Sequence, residues 1–245
     1  MITRDNEHKD NKKQIENYKK SVMYEGLLRL NDFLIKNNLP KISLNTVGGF
    51  AMIAHNLRDI CLTDIDYVGS DFSKEIQEEI DNIGLELNLG YKWINNDVML
   101  SGSSLSDFEL STGKLHFIKA FDLEKISVSI LDIKDLLRMK VIAIDTSYAS
   151  VQFGGDFTRV KDLPDIKRIM DSLKMDILDL EMETYMYNIS DDAYKLIDEY
   201  LKNPDLNIIK KKTDKASKTA VLLENWEKEM AEIEDLLKDK NGDYF

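Results

Sequence analysis

A chain of 245 residues with 43% hydrophobic side chains can bury one large core, or a larger and a smaller one, and its formal net charge of −12 argues against a broad basic face for nucleic acid. No run of residues is long and apolar enough to span a bilayer, and Met1-Ile2-Thr3-Arg4-Asp5-Asn6 is too polar for a signal peptide, so a globular cytoplasmic protein without a membrane partner is expected. The single Cys61 excludes an internal disulfide, and no Cys/His cluster is spaced to hold zinc.

Residues 1–20 are polar and of mixed charge, and read as a frayed or solvated start. From Tyr24, the residues Leu27, Leu28, Leu30, Phe33, Leu34 and Ile35 cluster at helical spacing up to Asn37-Asn38-Leu39-Pro40, where proline is expected to end the helix. Ile42 to Val47 is rich in β-branched and aliphatic residues and predicts a strand, and Gly48-Gly49 then permits a sharp turn into a buried helix opening with Phe50-Ala51-Met52-Ile53-Ala54. After a short connection containing Arg58, Cys61 to Val68 predicts a second strand, with Asp64 and Asp66 on one face and Ile65 and Tyr67 on the other. Ser73 is the expected N-cap of a helix running to about Leu87, with Ile76, Ile80, Ile83 and Leu87 on one face and Gly90 as its stop. Residues 97–114, with Gly102, Gly113 and several serines, predict a loop or hairpin; Leu115–Phe121 and Lys125–Leu131 predict strands, and a helix begins near Ile133.

That order describes an α/β (α+β) fold, a mixed sheet flanked by helices. Beyond the Gly154-Gly155 loop, residues 162–202 carry Leu, Ile, Met and Tyr at helical spacing until Asn203-Pro204-Asp205. The segment Ala220 to Leu237 is amphipathic through Leu222, Leu223, Trp226, Met230, Ile233 and Leu237, suited to core packing or to a partner helix. The expected division is therefore a polar segment 1–20, a sheet domain 21–172 and a C-terminal helical region 173–245.

Two parts carry chemistry. A Gly48-Gly49 turn takes positive φ and lets a phosphate approach the backbone, and the helix start behind it presents amides to an anion. Asp64 and Asp66 on one strand face repel each other unless a cation neutralises them, and hard oxygen ligands of this kind suit Mg²⁺, which would bridge them to nucleotide phosphates. Alone, a Gly-Gly pair is most often a turn and an Asp-Ile-Asp is any half-exposed strand. Their order and spacing are more specific. His55 reads as structural. The tract Lys210-Lys211-Lys212 with Lys215 and Lys218 reads as solvated surface, or as a contact for RNA or an acidic partner.

The arrangement of strand, Gly-Gly turn, helix and Asp-x-Asp strand resembles the nucleotidyltransferase superfamily of the polymerase-β-like fold. Within it the chain looks most like small bacterial and phage proteins related to abortive-infection and toxin–antitoxin toxins. Arg58 and Thr63 stand before the Asp pair as in that family's Arg…Thr-x-Asp-x-Asp pattern, and Trp93-Ile94-Asn95-Asn96-Asp97 resembles its Trp-Leu-Asn element. Asp135-Leu136-Leu137-Arg138-Met139-Lys140 and Arg159-Val160-Lys161-Asp162-Leu163-Pro164-Asp165-Ile166 resemble two further motifs, so the likeness covers residues 40 to 172. It implies transfer of a nucleoside monophosphate from an NTP to a hydroxyl of RNA, protein or a small molecule. Mg²⁺, or Mn²⁺ in its place, would align the phosphates, in a phage-defence or toxin–antitoxin setting with a cognate antitoxin protein as partner. It also implies Asp64 and Asp66 as catalytic metal ligands, and Gly48, Gly49, Arg58, Thr63 and Lys140 as nucleotide-binding residues. A third carboxylate is expected on a later strand; the run 125–131 presents Ser127 and Ser129, and Asp122 at its edge is the candidate. Asp162 and Asp165 fit first-turn placement and an ion pair with Arg159, and read as structural. The alternative is a degenerate member of the fold that acts as a binding module through a protein partner.

Overall fold

A computed structural model of the protein describes residues 22–58, 64–97 and 115–218. The polar start, residues 61–63 of the expected second strand (Thr63 among them), residues 98–114 of the expected loop or hairpin and the segment 220–237 lie outside the described residues. The chain forms two compact units, Met1–Lys140 with Arg168–Met175, and Val141–Lys167 with Asp176–Phe245.

The first unit is built on helix α1 (Val22–Lys36), whose buried stripe is Met23, Leu27, Leu30 and Leu34. The stop is not proline. Asn38 takes a left-handed conformation (φ 50°), and the amides of Asn38 and Leu39 return to the carbonyls of Ile35 and Leu34, a Schellman closure that satisfies the last turn two residues before Pro40. The chain then makes β1 (Ile42–Thr46), α2 (Gly48–Ala54), β2 (Ile65–Val68), α3 (Lys74–Glu86), β3 (Ile94–Asn95), β4 (Phe117–Asp122), β5 (Ile126–Leu131) and the start of α4 (Ile133–Val151). The fold is mixed α/β, as the order of elements predicts.

The five strands form one sheet in the order β3-β2-β1-β5-β4. Strand β1 runs parallel to β5 and antiparallel to β2, β3 runs parallel to β2, and β4 runs antiparallel to β5 with an irregularity between Lys119 and Phe121. Alternation sorts the two faces. Leu44, Thr46, Ile65, Tyr67, Val128 and Ile130 are buried on one, whereas Ser43, Asn45, Asp66, Ser127 and Ser129 share the less buried other, so one face packs on the core and the other stays polar.

Helix α3 starts behind Ser73 and buries Ile76, Ile80 and Ile83. It too stops on an asparagine: Asn88 is left-handed (φ 56°) and the Leu89 amide returns to the Gly84 carbonyl at 2.8 Å, so the helix ends before Gly90. Trp93 joins these helices to the sheet. Its buried indole donates from Nε1 to the Ile80 carbonyl at 2.7 Å, and its ring fills the space beside two glycines, where a Cβ would come within 2.7 Å of it at Gly26 and 2.6 Å at Gly84. Removing such a side chain costs about 3–5 kcal/mol.

The second unit is helical throughout its described part. It holds the rest of α4, a 3₁₀ turn (Thr158–Asp162), the start of α5 (Leu163–Leu173), α6 (Ile177–Thr184), a 3₁₀ turn (Tyr185–Tyr187), α7 (Asp191–Lys202) and a helix α8 over 206–218. Ser190 caps α7 by accepting from the Ala193 amide, and donates its own amide (3.1 Å) and hydroxyl (2.5 Å) to Asp145 of α4. Ser147 of α4 accepts from the amides of Thr158 and Arg159 at 3.0 and 3.2 Å. The bonds from Ser190 to Asp145 tie α4 to α7, in line with the grouping of 141–167 with the later helices, where the sequence suggests one division between 172 and 173. Among the described residues no helix is long and apolar enough to cross a membrane.

Candidate functional site

The turn after β1 is fixed from three sides. Thr46 donates its hydroxyl to the Ser129 carbonyl at 2.8 Å, which pins the end of β1 to β5. The Val47 amide donates to the Asp66 carbonyl at 3.0 Å, extending the β1–β2 register so that Asp66 stands opposite Val47. Gly48 then opens α2 with φ +60°, and an added Cβ there would lie 2.8 Å from Asp66 Oδ2. Glycine is favoured here by the left-handed backbone, and a Cβ would in addition have to displace the end of the Asp66 side chain. Every residue from Phe50 to Ala54 is buried, and behind them the His55 ring nitrogen Nε2 lies 2.7 Å from the Leu131 carbonyl, a structural tie between α2 and the end of β5.

Asp64 is exposed immediately before β2, and Asp66 is half-buried within it. The shared face expected from their spacing requires strand geometry at Asp64, which precedes the strand; both carboxylates already engage in polar or electrostatic contacts. Among the described residues no group of three or more His, Cys, Asp or Glu side chains is disposed to hold a metal ion. Two carboxylates nevertheless suit Mg²⁺, which binds through one or two of them and completes its octahedron with phosphate oxygens and water.

Asp122 is not brought to this pair. The register sets it opposite Ser127, which is opposite Ser43, whereas Asp66 is level with Val47. Strand geometry therefore separates the two by ~13 Å along the strands and ~14 Å across three strand spacings. Its chemistry is local as well. A hydrogen bond from Lys119, another from Ser127, and the nearby Lys41 ammonium at 3.5 Å hold its carboxyl down to about 2. The expected role of Asp122 as third carboxylate is corrected on this ground: it is a surface ion-pair partner at the far end of the sheet.

Arg58 is half-buried shortly after α2 and is engaged with neighbours, Gly49 lies in the first turn of α2, and Thr63 lies outside the described residues. Lys140, on α4, is only 8% exposed and has its own partner, as a buried ammonium must. Asp162 is buried and lies 3.7 Å from Arg159, the ion pair expected from sequence. Asn45 is the polar residue the sequence did not single out: it pairs with Ser129 across β1 and β5 on the same face as Asp66, one row in from it. Its signal was the alternation of the two strands. Comparison of the chain with models of protein families, with curated proteins and with solved structures returns no match.

Proposed function

We propose that the protein is a metal-dependent nucleotidyltransferase that moves a nucleoside monophosphate from an NTP to a hydroxyl of an RNA, protein or small molecule. The observation that carries this reading is the Asp66 carboxylate lying beside the Gly48 turn, 2.8 Å from where a Cβ on Gly48 would stand, since a phosphate-accepting turn and a metal-binding carboxylate must meet at one point for such chemistry. Asp64 and Asp66 would hold Mg²⁺ or Mn²⁺, which when bound supplies charge neutralisation for the triphosphate and the departing pyrophosphate. The glycine turn keeps side chains away from the path of the phosphates. The backbone of Asp66 is held in place beside the turn by the β1–β2 ladder. Thr63, Arg58 and Lys140 would contribute hydrogen bonds and positive charge to the nucleotide, as the sequence resemblance implies. The setting that fits the same resemblance is phage defence or toxin–antitoxin control, with an antitoxin protein as partner.

The distance of Asp122 from the pair favours one second reading, a degenerate member of the fold that binds a nucleotide or partner without transfer. Incubation with α-labelled NTPs, Mg²⁺ or Mn²⁺ and total cellular extract separates the two. Label appearing covalently on an RNA, protein or small molecule, and absent without divalent metal, supports the transferase; metal-dependent binding with no labelled acceptor supports the binding module.

A further inference from the structure

Helix α6 buries one side and leaves large apolar side chains exposed on another. Leu180 and Thr184 are buried, while Leu178, Met182, Tyr185 and Met186 are 63–83% exposed on and just beyond the same helix. Their spacing of four, three and one places Leu178, Met182 and Tyr185 along one ridge. Four large apolar side chains exposed within nine residues make a contiguous patch of the kind that marks an interaction site rather than scattered surface hydrophobics. The patch borders a cleft of about 450 Å³ between α6 and α7, which it joins through Glu181 and Tyr185 and whose far wall includes Asp191, Tyr194 and Asp198.

The charge around the patch identifies what fits it. Between Asp176 and Asp198 there are seven acids and one base, Lys195, a net of −6 out of the chain's −12. Lys195 is itself engaged with Asp192 at 3.2 Å. The Tyr194 phenol is raised mainly by burial, against the lowering effect of its hydrogen bond with Thr184, and the carboxylates of Glu181, Asp145 and Asp191 add smaller raising contributions. Nucleic acid and anionic lipid are repelled by such a surface. So is a second copy of the same face. The chain's own amphipathic segment Ala220–Leu237 holds six acids against Lys228, a net of −5, and is mismatched in the same way.

We infer that the α6–α7 face docks a separate protein through an amphipathic helix whose apolar side meets Leu178, Met182, Tyr185 and Met186 and whose flanks carry Lys or Arg toward Glu181, Asp191 and Asp198. Helix-in-groove docking of this kind takes its affinity from the apolar anchors and its choice of partner from the charged rim. The inference stands on the second unit alone and holds whether or not the first unit transfers nucleotides.

The test uses the full chain and two synthetic helices of about 20 residues with one identical Leu/Phe stripe, the first with Lys and Arg on its polar face and the second with Glu, each followed by fluorescence anisotropy. The basic helix is expected to bind at least about tenfold more tightly than the acidic one. Leu178→Ser/Met186→Ser and, independently, Met182→Ser/Tyr185→Ser should each weaken it about tenfold, as should Glu181→Lys/Asp191→Lys. Glu75→Lys/Glu78→Lys on exposed α3 positions should leave it unchanged. All the substituted side chains are exposed, so the melting curves of the variants should overlay the wild type. Equal binding of both helices, insensitivity to both apolar pairs, or an equal loss from the α3 pair would overturn the inference and reduce the attraction to general charge.

Discussion

Gly48→Ala places a methyl group 2.8 Å from Asp66 Oδ2 on a residue whose φ is +60°. The left-handed conformation costs an alanine about 1–2 kcal/mol. Moving the Asp66 carboxylate off its rotamer adds on the order of 1 kcal/mol, and the stiffer unfolded chain returns about 0.5 kcal/mol. The net loss is about 2 kcal/mol, or roughly 4–8 °C in melting temperature for a domain of this size. A double-mutant cycle separates the two causes. In an Asp66→Ala background the nearest atom left is the Asp66 Cβ, 3.8 Å away, so only the backbone cost should remain and the coupling should be about 1 kcal/mol. Thermal and urea unfolding followed by circular dichroism measure both terms. The variant should also bind Mn²⁺–NTP far less well, because displacing one ligand by even 1 Å costs on the order of a hundredfold in a positioned site. An equal cost of Gly48→Ala in both backgrounds would show that the turn and the carboxylate do not touch, and a variant as stable as wild type would refute the left-handed backbone too.

A chain ending at Lys174 should aggregate, because Asp145 loses both bonds from Ser190 and the 141–167 segment loses the helices of its own unit; a soluble, cooperatively melting product would contradict the observed grouping. Asp122→Asn should leave nucleotide binding intact and flatten only the acid limb of stability. The Asp122 carboxyl is lowered from 3.8 to about 2, so its contribution is complete above 3.8 and is lost as pH falls through about 2, and its exposure keeps that contribution small. Tyr67 behaves oppositely: burial, with Asp71 nearby, raises its phenol from 10.0 to about 12, so the stability it lends is present below 10 and lost as pH rises through about 12. Tyr67→Phe gives up the hydrogen bond to the Ser70 carbonyl, about 1 kcal/mol at neutral pH, but should lose less than wild type between pH 10 and 12; parallel alkaline melting curves for the two would contradict the assignment.

Periodicity made most of the first unit legible. The apolar stripe of α1, the strand–Gly–Gly–helix turn, the alternation of β2 and β5 and the start of α4 at Ile133 follow from side-chain spacing, which burial directly rewards. Helix ends were less legible, since Pro40 and Gly90 draw attention while Asn38 and Asn88 close the last turns in left-handed conformations that asparagine tolerates and sequence does not announce. The two-residue strand β3 was hidden because it pairs only through Ile94 and Asn95, and the role of the preceding Trp93 depends on distant Gly26 and Gly84. At the site, the left-handed turn at Gly48 and its place beside the strand carrying Asp66 could be read from local order. Asp122 misled because proximity to a strand end says nothing about which end of the sheet it occupies, and that is decided by strand order and register across β1, β5 and β4. The grouping of 141–167 with the C-terminal helices was equally invisible, because long-range ties such as that of Asp145 to Ser190 leave no local pattern.

The central claim, that Asp64 and Asp66 at the Gly48 turn form a metal-dependent nucleotide site, is tested most directly by calorimetric titration of the full chain with non-hydrolysable NTP analogues, with and without Mn²⁺. The wild type should bind only when Mn²⁺ is present. Asp64→Asn/Asp66→Asn should keep the fold, with a melting temperature equal to or above wild type once the two charges no longer repel, and should lose the metal-dependent binding. Binding that survives in the double variant, or that is indifferent to Mn²⁺ in the wild type, would contradict the claim.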